Sequence, residues 1–295
     1  TANNYGSGIV SKMLKSMVKN SVDFPPLYAV YVCGQLVKSG HEVTYSKDLN
    51  INDNYDLYIL PSSIVCHETE IECLKQLKKR GKKVIVIGPF ATSNSENYIE
   101  NGATVIKGEP EMYFHKFDKK IDDLNKLPQI IENFPIYGLD ELEFPGWEII
   151  FKNYIPKMKF LGDGPAISIN ASRGCPYSCF NYCTYPLQQG RKVRFRSVQN
   201  IIEEIKHWSI KLKTNKFLFR DPVFSINRKF TVDLCNAIIE EGLKIEFLIE
   251  THLKNLDDEL ILLLKKAGLV MVYIGVESSS AQVLKGIKRF TVDND

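Results

Sequence analysis

Two blocks of this chain alternate short β-rich apolar runs with helical stretches, and that alternation restricts it to parallel α/β architectures. In the first block, residues 24–39 have the apolar spacing of a helix, ended by Gly40, and residues 41–46 follow as a short strand. The runs DLYILP (56–61) and KVIVIG (83–88) are short, β-rich and apolar, the kind buried on both faces of a parallel sheet. Between them residues 68–80 read as an amphipathic helix, and residues 103–107 as a last strand. The expectation is a doubly wound, Rossmann-like or flavodoxin-like domain over residues 1–115. Such a sheet opens with a strand, whereas Thr1 to Gly8 (TANNYGSG) is polar, so the chain is expected to begin after its first strand.

The second block, residues 166–295, repeats the pattern with strands at 166–170, 216–220, 244–250 and 269–275 and helices at 198–213, 228–241 and 257–267. This reads as part of a parallel (β/α) barrel, and a closed barrel needs more strands, so the sequence is expected to be truncated at its carboxyl end. Residues 116–165 carry prolines at 128, 135, 145, 156 and 165 with little periodicity. They are expected to be a linker that drapes rather than packs.

With 44% hydrophobic and 25% charged residues among 295, the chain has ample apolar surface for two cores. A net charge of +3, from 38 basic and 35 acidic residues, does not point to nucleic acid. No apolar run approaches the ~20 residues that span a bilayer, and residues 1–20 lack a signal-peptide pattern, so no membrane partner is expected and the cytoplasm is the expected location.

Three of the seven cysteines fall within nine residues, in SRGCPYSCFNYCTYP (172–186), just after the first strand of the second block. Parallel βα folds bind ligands at the carboxyl ends of their strands. Thiolates hold iron–sulfur clusters, and Cys175, Cys179 and Cys183 could grip three irons of a cubane and leave the fourth open. Zinc is the alternative, but closed zinc sites have four protein ligands and none of the five histidines lies in this loop. Cys33, Cys66, Cys73 and Cys235 sit in apolar stretches and read as small buried hydrophobes.

The loop resembles that of the radical S-adenosylmethionine (SAM) superfamily, whose pattern is Cys-x3-Cys-x2-Cys with an aromatic residue before the last cysteine. Tyr182 supplies the aromatic residue, but the spacing here is Cys-x3-Cys-x3-Cys, one residue longer. RFRSVQNIIEEI (194–205), FLFRDPVFSINRK (217–229) and VYIGVESSS (272–280) resemble the cobalamin-binding branch of that family. FPPLYAVYVCGQLVKSG (24–40), KGEPE (107–111) and LEFPGW (142–147) resemble the helix opening, closing turn and linker of its cobalamin-binding domain.

The resemblance implies a 4Fe-4S cluster, SAM and cobalamin as cofactors, with Cys175, Cys179 and Cys183 as iron ligands. It implies Asp221 and Glu277 as candidate SAM contacts, against plainer readings as a loop cap and a helix-entry carboxylate. It places Ser62, Ser63 and Gly88 at the cobalamin nucleotide tail, with Pro89 where a second glycine is usual. The implied activity is SAM cleavage to a 5′-deoxyadenosyl radical and methyl transfer from methylcobalamin to an unactivated carbon or phosphorus. The substrate would be a small molecule or peptide, and the electron donor an external protein such as flavodoxin or ferredoxin. Radical SAM chemistry without cobalamin (methylthiotransferase-like, cyclisation or rearrangement) and a non-catalytic zinc-stabilised module are the alternatives.

Overall fold

The computed structural model describes residues 24–46, 55–115, 124, 126–132, 135–158, 161–162, 164–177, 179 and 183–287. Two compact units emerge, one of residues 1–136 with 141–160 and the other of residues 137–140 with 161–295. The expected missing first strand and the segment Thr1 to Gly8 lie outside the described residues.

In the first unit, α1 (Leu27–Lys38), β1 (Leu57–Pro61), α2 (His67–Lys79), β2 (Lys83–Ile87), α3 (Pro89–Ser93), α4 (Ser95–Glu100), β3 (Thr104–Lys107), α5 (Glu111–His115), β4 (Ile130–Glu132) and α6 (Trp147–Asn153) follow one another. The four strands form a parallel sheet in the order β1-β2-β3-β4. Successive strand side chains point to opposite faces. Val84 and Val86 therefore join Leu74, Leu77 and Tyr98 on one side, while Ile85 and Ile87 join Val32, Leu36 and Phe114 on the other. Two covered faces are the reason residues 84–87 of β2 are apolar at every position. Residues 41–46 form no strand; of their side chains Val43 packs against the core.

The segment expected to drape does pack. β4 extends the sheet beside β3, pairing Val105 with Ile130, and α6 buries Trp147 and Ile150 completely. Where this segment meets α1, backbone also packs on backbone. The Gly146 N–H donates to the Val30 carbonyl at 2.8 Å, and a Cβ on Gly34 would lie 2.3 Å from the Phe144 carbonyl oxygen. Contacts of this kind leave no hydrophobic period, which is why proline spacing alone suggested a linker.

In the second unit, β5 (Ile167–Ile169), β6 (Ser172–Arg173), α7 (Tyr185–Gln189), β7 (Arg194–Phe195), α8 (Val198–Lys211), β8 (Lys216–Phe219), α9 (Arg228–Glu240), β9 (Glu246–Thr251), α10 (Asp258–Ala267), β10 (Leu269–Ile274) and α11 (Ala281–Gly286) follow. β5, β8, β9 and β10 form a parallel sheet in the order β10-β9-β8-β5, the expected strand and helix alternation. Its core includes an aromatic cluster, with the Phe219 ring 4.9 Å from Phe224 and 5.6 Å from Phe247. Each such ring contributes roughly 2–3 kcal/mol by leaving water. α8 starts where the Ser197 hydroxyl accepts the Asn200 N–H at 3.1 Å, and its apolar stripe, Ile201, Ile202, Ile205 and Trp208, faces inward. Among the described residues no helix is long and apolar enough to cross a membrane.

Candidate functional site

The cysteine loop hangs from the carboxyl end of β5 on the two-residue antiparallel ladder of β6 and β7, which pairs Ser172 with Phe195 and Arg173 with Arg194. Gly174 has φ 90°, and a Cβ there would lie 2.2 Å from the Lys192 carbonyl oxygen, so only glycine lets the two arms come this close. The Cys175 N–H donates to the Gly190 carbonyl at 3.2 Å and the Gly174 N–H to Gln189 Oε1 at 3.0 Å. The loop's exit is thereby closed against its entrance. Midway, Arg191 donates to the Tyr177 carbonyl at 3.0 Å, and the Tyr177 ring lies 5.5 Å from the His252 ring with Lys254 Nζ 4.4 Å from its centre.

Cys175 is buried, Cys179 and Cys183 are half-buried, and none of the three is in a disulfide. Burial pushes the Cys175 thiol up, a hydrogen bond from the Tyr177 backbone draws it down, and the neighbouring Cys183 and Cys179 raise it again. Among the described residues no three His, Cys, Asp or Glu side chains converge on a metal position. The donor set suits an iron–sulfur cluster, with three soft sulfurs on one loop and no imidazole among them. Tyr182 lies outside the described residues.

Asp221 is fully buried where β8 ends. The Ala171 N–H reaches its two carboxylate oxygens at 3.2 and 3.1 Å, the Ser172 hydroxyl donates to Oδ1 at 2.6 Å, and the Ser172 N–H donates to Oδ1 as well. Burial nonetheless pushes its carboxyl up to about 6. Glu277 is exposed three residues past β10, in left-handed backbone with φ 61°, which is uncommon for a side chain other than glycine.

Ser62, Ser63 and Gly88 gather at the carboxyl ends of β1 and β2. The Ser62 hydroxyl accepts the Ala91 N–H at 2.8 Å, its carbonyl accepts the Tyr28 hydroxyl at 3.1 Å, and the Ser63 hydroxyl accepts the Val65 N–H at 3.3 Å. Gly88 has φ 113°, and a Cβ there would lie 2.4 Å from the Tyr28 hydroxyl, so Tyr28 occupies the space its missing side chain leaves. Of the other cysteines, Cys73 and Cys235 are buried and Cys33 and Cys66 half-buried.

Three polar groups were not found by sequence reasoning. Arg220 pairs with Glu250, which also accepts the Tyr185 hydroxyl at 3.1 Å. Arg196 and Glu204 form a buried ion pair, and Arg196 also donates to the Asn170 carbonyl at 2.8 Å. Glu70 is buried on α2, accepting the Tyr98 hydroxyl at 2.6 Å and the Ser63 N–H at 2.9 Å. For Glu250 the available signal was a charge inside the apolar stretch EFLIET, whereas Glu70, Arg196 and Glu204 lie in mixed polar sequence that gives none.

Residues 169–294 match the sequence profile of the radical SAM superfamily. The uncharacterized methyltransferase PH0819 of Pyrococcus horikoshii is 26% identical over 297 residues, covering 89% of this chain and 63% of the relative. An anaerobic magnesium-protoporphyrin IX monomethyl ester cyclase of Synechocystis is 25% identical over 302 residues, covering 90% of this chain and 59% of that protein. The chain thus spans about three-fifths of the length of these relatives. In fold it is similar to the radical SAM methyltransferase TsrM of Kitasatospora setae, solved with cobalamin and a 4Fe-4S cluster bound. The TM-score is 0.67 at 15% identity over 90% of this chain and 60% of that one.

Proposed function

We propose, from the premise that residues 169–294 are a radical SAM domain, that the protein is a cobalamin-dependent SAM enzyme methylating an unactivated carbon or phosphorus. The observation that carries this reading is the closed cysteine loop at the carboxyl end of β5, which carries Cys175, Cys179 and Cys183 with none of them in a disulfide. Cys175, Cys179 and Cys183 would hold the 4Fe-4S cluster, which when bound and reduced supplies the electron for reductive cleavage of SAM. Glu277 is the carboxylate we assign to SAM. Asp221, its oxygens engaged by the main chain of residues 171 and 172, would serve SAM binding by shaping the loop. Ser62, Ser63 and Gly88, at the sheet edge where such folds receive ligands, would carry the cobalamin tail.

A small-molecule or peptide substrate and an external donor, flavodoxin or ferredoxin, complete the system. Reduced thiolate ligands fit a cytoplasmic setting.

The test is anaerobic reconstitution of the full-length protein. About four irons and four sulfides per chain are expected, with 5′-deoxyadenosine formed from SAM under reduction. Substituting alanine for all three cysteines should abolish both, and iron retained in that variant would overturn the reading. The likeness to a cyclase supports ring closure as a second outcome, distinguished by a product that gains no methyl group.

A further inference from the structure

We propose that Arg220 and Asp221, adjacent in sequence where β8 ends, are positioning residues that hold opposite ends of the cysteine loop. Asp221 holds its entrance directly, and Arg220 holds its exit through Glu250 and Tyr185. The proposal deepens the radical SAM reading of that loop and rests on it for the loop's purpose.

The entrance contact is to main chain. Ala171 and Ser172 give both N–H groups and one hydroxyl to the Asp221 carboxylate, and Cys175 follows three residues later. A buried carboxylate with this many donors is costly to disturb, since removing it leaves two buried amides without their acceptor. The exit contact is a relay. The Arg220 guanidinium pairs with Glu250 Oε1, and Glu250 Oε2 accepts the Tyr185 hydroxyl at 3.1 Å. Tyr185 opens α7, two residues after Cys183.

The main chain of the pair is itself fixed to β5. The Arg220 N–H donates to the Ile169 carbonyl at 2.8 Å, and Asn170 Nδ2 donates to the Arg220 carbonyl at 3.0 Å. The first and last cysteines of the loop thus take their positions from one rigid strand end. Three thiols must share one cluster, so their spacing has to be held within a fraction of an ångström, and loops alone do this poorly. Two opposed anchors on consecutive residues hold it without a ligand role of their own.

The test uses the full-length protein carrying Tyr185→Phe, Glu250→Gln or Asp221→Asn. In cluster-free protein, amide hydrogen exchange should quicken on the order of tenfold around residues 183–190 for the first two variants. It should quicken around residues 171–175 for Asp221→Asn, each segment responding alone. In reconstituted protein, Tyr185→Phe and Glu250→Gln should release iron to a chelator on the order of tenfold faster. SAM should also shift the electron paramagnetic resonance of their reduced cluster less than in the wild type. Arg220→Lys, which keeps the charge but loses the planar fork, should fall between.

Folded Tyr185→Phe and Glu250→Gln proteins with wild-type exchange, iron release and spectra would overturn the clamp. So would exchange that quickens over the whole unit at once, because that is loss of stability rather than of an anchor. Wild-type protein that assembles no cluster would overturn the radical SAM reading, while the exchange measurement in cluster-free protein would still decide the clamp.

Discussion

Glu70 shows at the scale of one residue how burial and pairing compete. Burial pushes its carboxyl up to about 6, against the pull of the Tyr98 and Ser63 hydrogen bonds and of His67. A folded value above the unfolded one means that the native state binds the proton more tightly. The stabilisation is therefore full below about 4.5 and is lost as pH rises through about 6, a change of about 2 kcal/mol. We expect wild-type stability in urea to fall relative to a Glu70→Gln variant across that window, and a constant difference between the two would remove the assignment. The Ser63 N–H donates to Glu70, so ionisation strengthens that one bond, and the stability lost with rising pH is the cost of burying the charge. Neither Glu70 nor Asp221 was legible as a buried group, because helical or strand-end position does not reveal which carboxylate the fold covers.

Among the elements, the strands were legible where they are long and covered on both faces. β2 and β9 read directly from KVIVI and EFLIET, since a parallel sheet between helices demands apolar residues at nearly every position. The two-residue strands β6 and β7 and the one-turn helix α7 carry no period at all, yet they close the cysteine loop. α6 was missed for a different reason, since its approach to α1 rests on absent side chains. Gly34→Ala would press a methyl group to 2.3 Å from the Phe144 carbonyl oxygen. We expect it to cost roughly 1–3 kcal/mol, as overpacking does, and to lower the urea midpoint without changing the slope. A variant within about 0.5 kcal/mol of wild type would show that the contact relaxes. At the loop, Gly174→Ala combines a Cβ 2.2 Å from the Lys192 carbonyl oxygen with φ 90°. It should reduce iron retained on reconstitution well below wild type, and undiminished iron would mean that the arms can separate.

At the scale of the whole molecule, the two units make separable claims. If the first unit takes cobalamin, we expect no lower axial nitrogen from His67, because it opens α2 outside any Asp-x-His-x-x-Gly sequence and its ring lies 5.1 Å from that of Phe90. Electron paramagnetic resonance of cob(II)alamin-loaded full-length protein should therefore be the same in wild type and His67→Ala. Nitrogen splitting that vanishes in the variant would make His67 the ligand and contradict us.

From sequence alone came the fold class of the chain, its two parallel βα blocks and the three cysteines proposed to hold a cluster, because each is written in local order: period, run length and spacing. Tertiary structure alone decided which carboxylates are buried, that residues 130–132 join the first sheet, and that Tyr28 fills the space over Gly88. It alone brought Tyr185, Arg220 and Glu250 together at the loop. Those outcomes depend on residues tens of positions apart meeting at a single point, and hydrogen bonds and close approaches over such distances leave no repeating mark in the chain that makes them.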